Sequence, residues 1–206
     1  MIVSFLQKIR EFPDLLTKGY PDMIERLRNS DGQGTGNVPT KQESCFAVEL
    51  EKHGFVFLKK GETPTEDGAY FWYQPNGTQR SIDFVVTEIS GKEEVNVQID
   101  LKHTTEKAFY WNDGWFESGV LYVISFMVKK KPYVYIGFGE TSCSVEETEA
   151  INRRRELIRE LNSENGKVGF LRLYSRQANQ YSCDKFTSEF CDEQFALVEK
   201  RLEWIE

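Results

Sequence analysis

Apolar and polar residues alternate without interruption near the middle of the chain. Val95, Val97, Ile99 and Leu101 fall on one side, and Asn96, Gln98, Asp100 and Lys102 on the other. A period of two predicts a β-strand with one buried face. Further runs of β character are GFVFLKK (54–60), AYFWYQ (69–74), SIDFVVTEI (81–89), LYVISFMV (121–128), YVYIGF (133–138) and GKVGFLRLYS (166–175). The Asn-Gly of PNGT (75–78) predicts a tight hairpin turn, SGKE (90–93) a second turn, and KKKP (129–132) a third. Helical spacing covers 2–12, 14–29, 40–54, 144 to about 162, and 187–205. Thr40 with Glu43, and Ser144 with Glu147, have the spacing of capping boxes, and Gly54 suits a helix C-terminus. DGQGTGNVP (31–39), TEKAFYWNDGWFES (105–118) and SRQANQYSCDK (175–185) read as loops. This order predicts one mixed α/β domain over 1–206. Within it, 1–39 is a helical extension with a loop, 40–138 the core, and 139–206 a helix–strand–helix.

Composition changes this picture little, but charge narrows the function. The net charge of -7 argues against a protein that coats nucleic acid non-specifically, though it leaves room for a basic cleft. Four cysteines without a CxxC pair, and two histidines, speak against structural zinc. The early apolar run MIVSFL is broken by Lys8, Arg10 and Glu11, so a secretory leader is not expected. No run approaches the length needed to span a bilayer. A cytoplasmic location, with buried thiols, is the expectation.

The chemistry gathers on the polar sides of two neighbouring strands. In SIDFVV, Ile82, Phe84 and Val86 are expected on one face, leaving Asp83 on the other; Gln98, Asp100 and Lys102 share a face of the next strand. An antiparallel turn lets Asp83 and Asp100 approach, and two close carboxylates repel unless a cation intervenes. All-oxygen ligands favour a hard ion such as Mg2+. A lysine two residues along could polarise water or stabilise charge developing on a phosphate. The same residues would also form a plain ion pair on a solvated sheet face. Apolar flanks on both strands argue for a covered sheet, where unpaired charge is costly.

Asp83, followed by Asp100-Leu101-Lys102, resembles the D…(D/E)xK signature of the PD-(D/E)XK nuclease superfamily. The helix KQESCFAVELEKHGF resembles that family's first helix, with Glu43, Phe46, Leu50 and Gly54 at matching spacing. Ile82 stands where many members carry proline. The resemblance covers about residues 40–138 and implies a restriction-endonuclease-like core, with a central mixed sheet flanked by helices. It implies Mg2+ on Asp83 and Asp100, with Glu43 (or Glu49 or Glu51) as a further ligand, and catalysis by Asp83, Asp100 and Lys102. It further implies cleavage of double-stranded DNA, foremost by a type II restriction enzyme working as a homodimer. A repair, recombination or nicking nuclease and a non-catalytic binding domain are the alternatives. Gln98, Arg176, Gln177, Asn179 and Gln180 have side chains of the kind that contact DNA and read base edges. Trp111, Trp115 and Phe116 suit either base stacking or packing. His103 is expected in the core, and Lys129–Lys131 at a solvated tip or on phosphates.

Overall fold

The computed structural model describes residues 1–30, 38–75, 82–106, 108–112, 115–165 and 178–203. Its elements are α1 (Ile2–Glu11), α2 (Pro21–Arg28), α3 (Lys41–Lys52), β1 (Val56–Phe57), β2 (Gly68–Tyr73), β3 (Phe84–Ser90), β4 (Glu93–His103), β5 (Ala108–Asn112), β6 (Val120–Val128), β7 (Lys131–Phe138), α4 (Gly139–Ser142), α5 (Val145–Asn165), β8 (Ala178–Ser182) and α6 (Ser188–Leu202). Six strands form a mixed sheet in the order β1-β2-β3-β4-β6-β7, with β1–β2 and β4–β6 parallel and the other pairs antiparallel. Helices flank it, so the chain has the expected mixed α/β architecture.

Two apolar clusters lie on opposite faces of the sheet. On the first, α1 contributes Phe5, Leu6 and Ile9, α3 contributes Phe46 and Leu50, and α6 contributes Phe195 and Val198. These pack on Phe71, Phe84, Ile99, Leu121 and Ile136. Each such side chain taken from water stabilises the fold by roughly 1.5–3 kcal/mol. On the second, Tyr122, Ile124, Phe126 and Tyr135 meet Phe109, Trp115, Phe116, Tyr181 and Phe186. Trp115 and Phe116 are therefore core residues.

Several expectations are corrected. The helix expected at 14–29 is a 3-10 turn (Pro13–Leu16) followed by α2, because Gly19 turns left-handed (φ 65°) and Pro21 opens a new helix. The strand expected at 54–60 is only Val56–Phe57. The loops expected at 105–118 and 175–185 contain β5 and β8, which pair antiparallel as a separate two-stranded sheet. Ile82 joins the second cluster, not the first with Phe84 and Val86, since the chain is irregular before β3 begins at Phe84. His103 is exposed rather than in the core, its Nδ1 2.8 Å from Ser125 Oγ. The PNGT turn beyond Pro75, most of the 31–39 loop and the 166–175 strand lie outside the described residues.

Candidate active site

β4 changes neighbours along its length, and the candidate site lies where it does so. Glu93 to Ile99 pair with β3, while Gln98 to His103 pair with β6. The last backbone bond on the β3 side runs from Asp83 N to Ile99 O at 3.0 Å. Beyond it, the Leu101 N–H finds no strand; it donates instead to Asp83 Oδ2 at 2.8 Å. The Asp83 carboxylate thus closes the open edge of β4, which explains why it is drawn against Asp100.

Asp100 is only 1% exposed, in register with Tyr122 of β6. Its Oδ1 accepts from Lys102 Nζ at 2.5 Å, its Oδ2 is buried with no nitrogen or hydroxyl donor among the described residues, and the Asp83 carboxyl lies close enough to share a hydrogen bond with the Asp100 side chain. Two buried carboxyls this close cannot both stay charged unless something positive lies between them, whether a shared proton or a cation. Lys102, 20% exposed, reaches from this buried acid toward solvent. Gln98, two residues earlier on the same face, is exposed at the rim.

Glu43 completes the row from the side of the first cluster, where α3 packs. It is the third residue of α3, and the capping box is made in full: Glu43 N donates to Thr40 Oγ1 at 3.2 Å, and Thr40 N donates to Glu43 Oε2. Its Oε1 accepts from the Tyr73 hydroxyl at 3.3 Å, in a setting that leaves Glu43 only 7% exposed. Glu49 and Glu51 are engaged elsewhere. Lys8 and Lys52 bond Glu49, and Arg26 forms a two-bonded pair with Glu51. Of the three helix carboxylates, Glu43 alone interacts with Asp83.

These acids hold protons that ordinary carboxyls lose. Burial, then the charge of Asp83, pushes Glu43 up to about 7. Burial, then the charge of Asp100, pushes Asp83 up to about 7, against the opposing pull of Lys102 and the Leu101 N–H. Asp100 is also raised, by burial, although Lys102 favours its charged form. Burial raises the Tyr73 hydroxyl as well, so it stays a donor to Glu43. The row is Glu43, Asp83, Asp100 and Lys102, with the charge of Glu117 also acting on Asp100.

No protein family, curated protein or solved structure matches this chain. The geometry and chemistry of the row therefore carry the functional reading by themselves.

The donor set suits a hard divalent cation: it is all oxygen and it is crowded with like charge. Among the described residues, no three His, Cys, Asp or Glu side chains are grouped tightly enough to enclose an ion. Mg2+ does not require such a cage, since it commonly keeps several waters and takes one or two carboxylates. Arg176 and Gln177 lie outside the described residues; Asn179 and Gln180 have a place only as backbone of β8. Tyr73 and Glu117 escaped the sequence reading. Tyr73 sits in an aromatic run with nothing to single it out, and Glu117 lies within the 105–118 stretch, whose path was not legible.

Tyr73→Phe tests the outer link of the row. It deletes one hydrogen bond to a buried carboxylate and keeps the ring, which packs on Phe84 at 5.4 Å. The expected outcome is a loss of about 1–2 kcal/mol at neutral pH, read from urea unfolding with magnesium chelated. An unchanged midpoint would mean that the hydroxyl does not hold Glu43.

Proposed function

We propose that this chain is a magnesium-dependent endonuclease that hydrolyses phosphodiester bonds of double-stranded DNA. The observation that carries this reading is the pair of buried, mutually contacting carboxyls Asp83 and Asp100, with Lys102 bonded to the second at the end of the β3–β4 pairing.

In this proposal Asp83 and Asp100 hold Mg2+, and Glu43 supports them from behind Asp83. The bound ion would supply charge neutralisation on the phosphodiester and a more acidic water. The remaining work belongs to the chain. The Lys102 ammonium, anchored at 2.5 Å on Asp100 Oδ1 and open to solvent on its far side, donates to the attacking water or a phosphate oxygen. Gln98 offers its amide at the rim. Burial of the carboxylates keeps water from weakening these interactions. A type II restriction enzyme, working as a homodimer on a palindromic site in the cytoplasm, is the specific form proposed. Among the described residues no helix is long and apolar enough to cross a membrane.

One observation favours a second reading. Asp83 already bonds Leu101 N–H and Asp100 already bonds Lys102, so the same acids could serve only to close the sheet in a binding protein. Incubating plasmid DNA with the protein and magnesium separates the two. Discrete fragments that vanish with a chelator are the expected outcome. Cutting confined to branched or nicked DNA would move the assignment to repair or recombination, and no cutting at any salt would favour the binding protein.

A further inference from the structure

β6 and β7 are joined by two residues only, since Val128 pairs with Lys131. Both turn residues are lysines with left-handed backbones, Lys129 at φ 48° and Lys130 at φ 67°. With both φ positive this is a turn of the I′ kind, which Asn-Gly adopts far more readily than residues with long side chains. Local backbone chemistry therefore disfavours what stands here, and the third lysine adds to the charge. All three lysines are exposed.

Three consecutive exposed lysines at one turn make the tip stand out, while several other cations are paired. Lys8 and Lys52 pair with Glu49, Arg10 with Asp192, Arg26 with Glu51, Lys185 with Glu147 and Arg201 with Glu140. Among the described residues, no carboxylate pairs with Lys129, Lys130 or Lys131. In a chain of net charge -7, this is a focused cationic point on strained backbone.

Its placement relates it to the proposed active site. Asp100 is opposite Tyr122, Lys102 is opposite Ile124, and β6 continues in the same direction to Val128. At about 3.3 Å per residue, the tip stands roughly 20 Å beyond the Asp100 row, past Lys102. That distance is within one turn of a DNA duplex, about 34 Å long.

We infer that the Lys129-Lys130-Lys131 hairpin tip binds the phosphate backbone of duplex DNA on one flank of the cleavage site. This rests on the nuclease reading above. The tip positions the duplex and carries no sequence preference, because phosphates are the same at every step.

The test replaces strain and charge together: Lys129→Asn with Lys130→Gly, in the full chain. This pair suits the turn, so the variant should unfold at a higher temperature than wild type. Its affinity for a labelled duplex of about 30 base pairs, measured by anisotropy over a salt series with magnesium chelated, should fall about tenfold, and the log–log salt slope should shrink by about 2. A more stable variant with wild-type affinity and slope would overturn the inference and leave the nuclease reading standing. Weakened binding to anionic phospholipid vesicles, with DNA binding intact, would overturn it too. Wild-type protein that binds no duplex at low salt would overturn the nuclease reading itself, and the inference with it.

Discussion

On the proposed nuclease reading, Asp100→Asn should abolish magnesium-dependent DNA cleavage and leave the fold standing. The amide matches the carboxylate in shape, so the tight surroundings of a residue 1% exposed are undisturbed. What changes is charge. Asn offers one neutral oxygen where a cation needs an anionic ligand, and it loosens the 2.5 Å contact that holds Lys102 in place. Removing one preorganised electrostatic group from an enclosed site commonly costs on the order of a thousandfold in rate, and this substitution disturbs two. Stability without metal should hold or rise slightly, since a buried charge is lost and Lys102 can turn to solvent. A second readout separates site from scaffold. Magnesium should raise the unfolding temperature of wild type but not of Asp100→Asn, because a ligand stabilises only the state that binds it. Cleavage by Asp100→Asn at the wild-type rate would return Asp100 to a purely structural role.

Metal-free protein should lose stability as pH rises from about 4.5 to about 7, the reverse of the common trend at acid pH. Glu43 and Asp83 both have folded values near 7, above the ordinary 4.5 and 3.8. Between those limits the folded chain holds protons that the unfolded chain has released, and stability falls with pH wherever the folded state binds more protons. The contribution is intact below the ordinary values and gone above about pH 7. A shift of Glu43's size corresponds to about 3 kcal/mol, an upper bound because Glu43 and Asp83 act on each other. Glu49, Glu140 and Glu147 are lowered by their cationic and backbone partners against the cost of burial, so they act in the opposite sense and lose stability as acid protonates them. The two trends together put maximum stability near pH 5. Urea midpoints from about pH 4 to 8 in chelator would show it, and Asp83→Asn should flatten the fall on the alkaline side. A midpoint that climbs steadily to pH 7 would mean that the row is not strained by charge. Magnesium should restore stability most at the alkaline end, where it meets carboxylates already free of protons.

Much of the architecture is readable because it is local. The capping box of Thr40 and Glu43, the alternation from Val95 to Ile99 and the helix ending near Gly54 depend on residues a few positions apart, and all are present; beyond Ile99 the alternation fails, because Asp100 is buried as well. The paired acids were legible for the same reason: two adjacent antiparallel strands must bring Asp83 near Asp100. α2 was misread where Gly19 and Pro21 outweigh an apolar pattern that runs straight through them. β5 and β8 went unseen because their partner strands are some seventy residues apart, beyond any local periodicity.

What the sequence determines by itself is thus the type and order of most elements, and the residue types at the head of the row. Tertiary structure decides everything that turns those residues into a site. It chooses Glu43 over Glu49 and Glu51, because helix phase and the competing cations Lys8, Lys52 and Arg26 leave only Glu43 facing Asp83. It brings up Tyr73 and Glu117, which no spacing announces. It also buries Asp100 against Asp83, and burial is a property of the packed whole. Desolvation and like-charge repulsion act through space, so the chemistry of the row exists only once the sheet has closed around it.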